Sequence, residues 1–138
     1  MDNLITKRES VTYPGLFVIK YKKKVFYNNL WNTHDSLKES RGHVEDSNGN
    51  IVIHPFTKVF NYGENNVTIH RDEECIAIRK VNGFMCGVTY VPAVDSVVVS
   101  TTGSLDSDFV KMADKFIPQK FKDSLKEALQ KFKGTVIL

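Results

Sequence analysis

Residues 75–100 read Cys75-Ile76-Ala77-Ile78-Arg79-Lys80-Val81-Asn82-Gly83-Phe84-Met85-Cys86-Gly87-Val88-Thr89-Tyr90-Val91-Pro92-Ala93-Val94-Asp95-Ser96-Val97-Val98-Val99-Ser100. Three runs rich in β-branched and aromatic residues stand out: Cys75 to Arg79, Gly83 to Tyr90, and Ser96 to Ser100. Asn82-Gly83 separates the first two, and these residue types tolerate the positive φ that a tight hairpin turn demands. Pro92 marks the second turn. Strand, short turn, strand, turn, strand describes an antiparallel meander.

Toward the N-terminus, residues 1–14 are polar and end in the turn signal Pro14-Gly15. Leu16 to Tyr21 reads as a strand. Lys22 to Lys24 then forms a basic turn, and Val25-Phe26-Tyr27 resumes as a second strand. Thr33 to Glu39 fits a short helical turn capped by Thr33. Asn48-Gly49 lies between Arg41 to Asp46 and Ile51 to Ile53, a hairpin signal. Residues 55–64 have mixed patterning and read as a loop.

Helices come late. Ser104 or Ser107 caps a helix whose first turn carries Asp106 and Asp108, favourable at the positive end of the dipole. It runs to about Ile117, where Pro118 breaks it and opens the next. In that second helix Phe121, Leu125, Leu129 and Phe132 share a face, and Gly134 ends it. Thr135-Val136-Ile137-Leu138 then begins a new apolar run, which reads as a core strand cut short. The expected class is α+β, antiparallel sheets with C-terminal helices, in a single domain over 1–138 that is the front part of a larger one.

Bulk properties agree with one modest core: 138 residues, 41% hydrophobic, net charge +3. The slight basic excess is compatible with a nucleic-acid or nucleotide partner and equally with an ordinary solvated surface. Cys75 and Cys86 form no CxxC, which points to a reduced, cytoplasmic protein. His34, His43, His54 and His70 match no metal spacing, so no metal site is expected. MDNLITKRES carries no signal-peptide h-region, and no apolar run approaches a membrane span.

The chemistry is expected at Lys80-Val81-Asn82-Gly83. A lysine amine is nucleophilic only when burial and neighbouring cations favour its neutral form. A position between two strands would fix it at a pocket wall, and Gly83 would let the backbone approach a sugar or phosphate. KxxG by itself is common, and a surface lysine beside a hairpin turn produces the same string.

Its surroundings are more specific. Arg41-Gly42 precedes it, then Pro55-Phe56-Thr57-Lys58-Val59-Phe60-Asn61-Tyr62-Gly63-Glu64. Ser100-Thr101-Thr102-Gly103-Ser104 follows and leads into a capped helix. This ordered set, from about Tyr21 to the end of the chain, resembles the phage-type ATP-dependent RNA ligases, covalent nucleotidyltransferases of the ATP-grasp-like ligase kind. The resemblance implies that Lys80 attacks the α-phosphorus of ATP and carries AMP. The AMP then passes to a 5′-phosphorylated RNA end, which a 3′-hydroxyl seals. It implies that Phe60 stacks on adenine, and that Lys58 and Arg41 are cations near the nucleotide. Gly83 approaches the ribose, and Tyr21 falls near a nucleotide-site tyrosine. It also implies Mg²⁺, with no protein ligand to name. The pocket is expected between sheets with Lys80 on its floor. Two departures stand out: Thr102 replaces a lysine frequent in relatives, and Phe84 occupies a usually small polar position. The family's later glutamate and its distal lysine pair would lie past residue 138.

Each assignment has an ordinary counterpart. Phe60 fits a plain core, Lys58 a solvated surface, and Arg41 an ion pair with Glu39 or Glu45. A different class of function is a non-catalytic single-stranded nucleic-acid-binding module. In that reading the lysines at 20 and 22–24 interleave with Tyr21, Phe26, Tyr27 and Trp31. A capping-type enzyme using GTP would share the lysine chemistry.

Overall fold

Two strands with buried middles, β-rich and joined to their neighbours by antiparallel pairing, anchor the first sheet. The computed structural model describes residues 3–138. Strands β1 (Ile5–Glu9), β2 (Phe17–Tyr21), β3 (Arg41–Glu45) and β4 (Ile51–Ile53) form an antiparallel sheet in that order. The β3–β4 hairpin turns where the sequence places Asn48-Gly49, and Gly49 has φ +81°. Asp46 closes that turn by accepting from the backbone N–H of Asn48 and Asn50 at 2.8 and 2.9 Å.

The second sheet has β5 (Cys86–Val91) at its centre, with β6 (Ser96–Thr101) and β7 (Val136–Ile137) antiparallel on its two edges. Both faces of this sheet are covered, so its strands are near-continuous apolar runs. Val91 and Val98 meet Val18, Val44 and Ile53 of the first sheet, with Leu16 just before β2, in one core. On the opposite face Cys86, Val88 and Val99 meet Val110, Ile117 and Leu125 of the helical layer. Each such aliphatic side chain stabilises the fold by about 1.5–3 kcal/mol when fully buried. The order is therefore sheet, sheet, helices.

The helices are α3 (Asp108–Phe116) and α4 (Gln119–Lys131). Ser107 caps α3, its Oγ accepting from the Val110 N–H at 3.4 Å. Pro118 sits at the N-cap of α4. Two shorter helices precede them, α1 (Lys23–Tyr27) and α2 (Ser36–Glu39). Among the described residues no helix is long and apolar enough to cross a membrane. Cys75 and Cys86 are both free.

Several expectations are corrected. Val25-Phe26-Tyr27 belongs to helix α1, because Val25 alone turns inward, onto Trp31 and Leu37. The polar N-terminal stretch contains β1, an edge strand with a mostly exposed, charged surface that hides its pairing from an alternation test. Asp35, not Thr33, precedes α2 as its N-cap residue. In α4 the apolar stripe is narrower than expected: Leu125 is buried and Leu129 packs beside it, while Phe132 is 73% exposed. The helix stops at Lys131, short of Gly134. The largest correction is Cys75 to Arg79, which forms no strand. Its expected place beside β5 is taken by β7, which brings a strand from the far end of the chain into the meander.

Candidate functional site

One end of the two sheets gathers most of the residues singled out by the sequence. β2 ends at Tyr21, where Trp31 rises from below. Trp31 is 2% exposed and packs with Val25 and Leu37. The Tyr21 ring meets the Trp31 ring edge-on at 4.7 Å, and the Phe60 ring does so at 5.5 Å. Lys58 Nζ lies 4.5 Å from the Phe60 centroid and 5.5 Å from that of Trp31. A cation over an aromatic face is attracted by the ring quadrupole. Loop 55–64 is held in this position by its own bonds. The Lys58 N–H donates to the Lys38 carbonyl at 2.8 Å, and the Asn61 N–H donates to Glu64 Oε2 at 2.9 Å. Those Asn61 bonds hold the Glu64 carboxyl below its ordinary value.

Arg41 opens β3 at the same end, level with Lys20 of β2. The two carboxylates beside it in sequence are engaged elsewhere. Glu39 accepts from Thr57 Oγ1 at 2.8 Å through one oxygen, while its other, Oε2, lies 3.3 Å from His54 Nε2 without receiving a hydrogen bond. Glu45 takes Lys7 at 3.0 Å and His43 at 2.9 Å. Partial burial pushes the Glu45 carboxyl up, but the bonds from His43 and Lys7 outweigh it and hold it low. Arg41 is thus left without a carboxylate partner among the described residues.

Gly42 follows Arg41 with φ +91°, and a side chain there would begin 2.6 Å from the backbone of Thr102. Only glycine meets both demands, the left-handed backbone and the close approach. The Thr101–Ser104 turn therefore lies directly on the Arg41-Gly42 corner. Lys20 Nζ sits 3.2 Å from where a side chain on Gly103 would start. A second cation thus stands at the turn where Thr102 brings none.

Lys80 and Gly83 are not brought into this group. Both lie in residues 75–85, which form no regular element, and both are exposed. Nothing comes within 4 Å of a side chain built at Gly83. The expectation of Lys80 on a pocket floor is corrected accordingly: the strand that would have carried it there does not form. A cavity of about 630 Å³ lies between β4 and the end of β5, lined by Ile51, His54, Thr89, Tyr90, Leu129 and Thr135 among others. None of Tyr21, Arg41, Lys58, Phe60, Lys80 or Gly83 lines it. Among the described residues no cluster of three or more His, Cys, Asp or Glu side chains is placed to hold a metal ion.

Sequence reasoning undervalued Trp31, the residue around which Tyr21, Phe60 and Lys58 assemble. Its signal was its being the single tryptophan, beside Leu30 in an otherwise polar stretch. Lys20 was weighed only as part of a basic run. No protein-family model matches the chain, and no curated protein matches it.

Proposed function

We propose that this chain carries the nucleotide-binding end of an ATP-dependent RNA ligase, with Lys80 as the residue that accepts AMP. One observation carries the reading: near the end of β2 two groups form from segments far apart in sequence, and their cations Lys20, Arg41 and Lys58 join no ion pair with a carboxylate among the described residues. Arg41 and Lys20 stand beside the Thr101–Ser104 turn, and Lys58 stands over Phe60 beside Tyr21. Fixed positive groups around a partly dry aromatic floor suit a nucleotide whose phosphate charge builds during transfer.

In this reading adenine stacks on Phe60. Lys58 already covers one face of that ring, so a base on that face releases the ammonium toward the phosphates. The Lys80 amine attacks the α-phosphorus, a nitrogen–phosphorus bond forms, and pyrophosphate leaves with the electron pair of the broken phosphorus–oxygen bond. The amine gives up its proton to solvent. Lys80 must first come in from its exposed segment. Cys86, where β5 starts opposite Thr101, lies six positions on, and an extended chain of that length spans at most about 20 Å. The tether therefore allows Lys80 to reach the turn. The resemblance adds transfer of AMP to a 5′-phosphorylated RNA end and sealing by a 3′-hydroxyl.

The test is intact mass after incubation with ATP and magnesium. A gain of one AMP, lost in Lys80→Ala and reduced in Arg41→Ala and Lys58→Ala, is the expected outcome. No gain in the unaltered chain, or a gain that survives Lys80→Ala, overturns the assignment.

A further inference from the structure

Helix α1 presents a face that nothing in the fold uses. At about 100° per residue, Lys23–Tyr27 turns Val25 inward and places Phe26, Lys23, Tyr27 and Lys24 in that order around the opposite side. Phe26 is 54% exposed and Tyr27 is 75% exposed, and their rings meet edge-on at 5.5 Å. Two large aromatics side by side in water, interleaved with lysines, are costly unless something covers them. The charge around them is one-sided. From Ser10 to His34 the chain carries four lysines, Lys20, Lys22, Lys23 and Lys24, and no aspartate or glutamate. Neither Lys23 nor Lys24 joins an ion pair with the described residues.

We infer that this face of α1 is a docking surface for single-stranded RNA, with bases stacking on Phe26 and Tyr27 and phosphates meeting Lys23 and Lys24. The charge decides the occupant. An apolar protein segment would not call for lysines between the rings, and an acidic one would not call for the rings. A single strand supplies both a repeating anion and a repeating π-face, and such stacking is tolerant of sequence. A duplex hides its base faces and fits less well. The location also suits a substrate strand. Val25 packs on Trp31, the ring that supports Tyr21 and Phe60, so α1 is the outer wall of the proposed nucleotide corner. The inference takes the RNA of the proposed reaction as its occupant and to that extent rests on that reading.

It differs from the sequence expectation in which side chains do the work. Tyr21 and Trp31 are committed to packing, which leaves Phe26 and Tyr27 for the bases.

The experiment is fluorescence anisotropy of a labelled, non-self-complementary single-stranded RNA, titrated with the protein over a series of salt concentrations without ATP. Phe26→Ala/Tyr27→Ala is expected to weaken binding roughly tenfold or more with the salt slope unchanged. Lys23→Ala/Lys24→Ala is expected to lower the slope of log affinity against log salt by about 1.4, two phosphates at about 0.7 each. Lys115→Ala/Lys120→Ala, on exposed lysines of the helical layer, controls for loss of charge alone. All four α1 positions lie outside the cores, and circular dichroism of each variant checks that it is folded. Affinity unchanged in both α1 variants, or lowered equally by the control pair, overturns the inference. So does an α1 variant that alters self-association or protein capture but not RNA affinity. The mass experiment on Lys80 is independent of this one. Without an AMP gain but with α1-dependent binding, the ligase reading falls and the surface stands. The reverse pair of results removes the surface alone.

Discussion

Residues 75–81 and 86–91 are written in the same alphabet and end in opposite states. Cys75-Ile76-Ala77-Ile78 is an apolar, β-prone run, yet Ile76 and Ile78 are 90% and 86% exposed. Cys86-Gly87-Val88-Thr89-Tyr90-Val91 is no more apolar, yet it is the central strand of the second sheet. The difference lies in what surrounds each. β5 has β6 along one edge in unbroken register from Cys86↔Thr101 to Val91↔Ser96, and β7 along the other. A sheet covers one of its faces and α3 and α4 the other. Residues 75–81 have neither an edge partner nor a covering layer. A β-rich pattern is a fit to a pleated, half-buried surface, not a property the backbone holds by itself.

That comparison is broken most forcefully at Val88. The side chain is fully buried between Cys86, Val99 and the helices, so Val88→Asp buries a carboxylate with no partner. The cost is several kcal/mol, comparable to the whole stability of a domain of this size, about 5–15 kcal/mol. Loss of the cooperative urea transition is expected. A second strong effect is expected where β3 meets the Thr101–Ser104 turn. Gly42→Ala imposes a positive φ on a side chain and drives its Cβ to 2.6 Å from the Thr102 backbone. Strain and overpacking each cost about 1–3 kcal/mol, so a loss of roughly 3 kcal/mol is expected. An urea midpoint within error of the unaltered chain would show that the corner of the candidate site is not closed in this way.

Asp106 tests how the N-terminal hairpin is tied to the second sheet. Its carboxylate accepts from Ser10 Oγ at 2.7 Å, the Thr12 N–H at 2.9 Å and the Val11 N–H at 3.2 Å. Partial burial pushes its carboxyl up, but the bonds from Thr12, Ser10 and Val11 outweigh that and hold it low. The folded value thus lies below the unfolded one. The stabilisation is present above the ordinary aspartate value of about 3.9 and is lost as pH falls through the folded value. Asp106→Asn is expected to cost about 1–2 kcal/mol at neutral pH and to flatten the acid limb of stability against pH. Urea midpoints taken from neutral to acid pH check both; parallel curves for the two chains would exclude the tether.

How much was legible follows the same logic. β5, β6, α3 and α4 could be read because local signals agree with their surroundings: a serine cap at Ser107, Pro118 between helices, and valines covered on both faces. The β3–β4 hairpin could be read from Asn48-Gly49. β1 could not, because an edge strand with one neighbour needs no apolar face. α1 could not, because one buried residue in five gives no period, and Val25-Phe26-Tyr27 resembles a strand until Val25 finds Trp31. The contact of Gly42 with Thr102 joins residues 60 positions apart, and no local pattern encodes it. For the candidate site, the sequence supplied the members around Trp31 and Arg41 as types in order. How they assemble came only from the fold: Tyr21, Phe60 and Lys58 gather on Trp31, Arg41 and Lys20 stand at the Thr101–Ser104 turn, and Lys80 stays outside both groups.

The smallest effect sharpens the comparison most. Ile78→Asp puts the same charge as Val88→Asp into the same kind of pattern, but on an exposed segment. A change within about 0.5 kcal/mol is expected, and trypsin is expected to cut after Arg79 and Lys80 well before the domain unfolds, since exposed backbone outside any element is cleaved without global opening. A cost of 2 kcal/mol or more would mean that the segment is buried against the rest of the fold in solution. Repeating the digestion with ATP links this region to the proposed chemistry. If Lys80 comes to the Arg41–Thr102 corner to receive AMP, nucleotide must slow cleavage at Arg79 and Lys80, and Ile78→Asp, beside those bonds, must weaken that protection while leaving stability without nucleotide unchanged. Cleavage at one rate with and without ATP would leave Lys80 a solvated lysine on an exposed loop, and the cationic, aromatic corner would then need a different nucleophile or none.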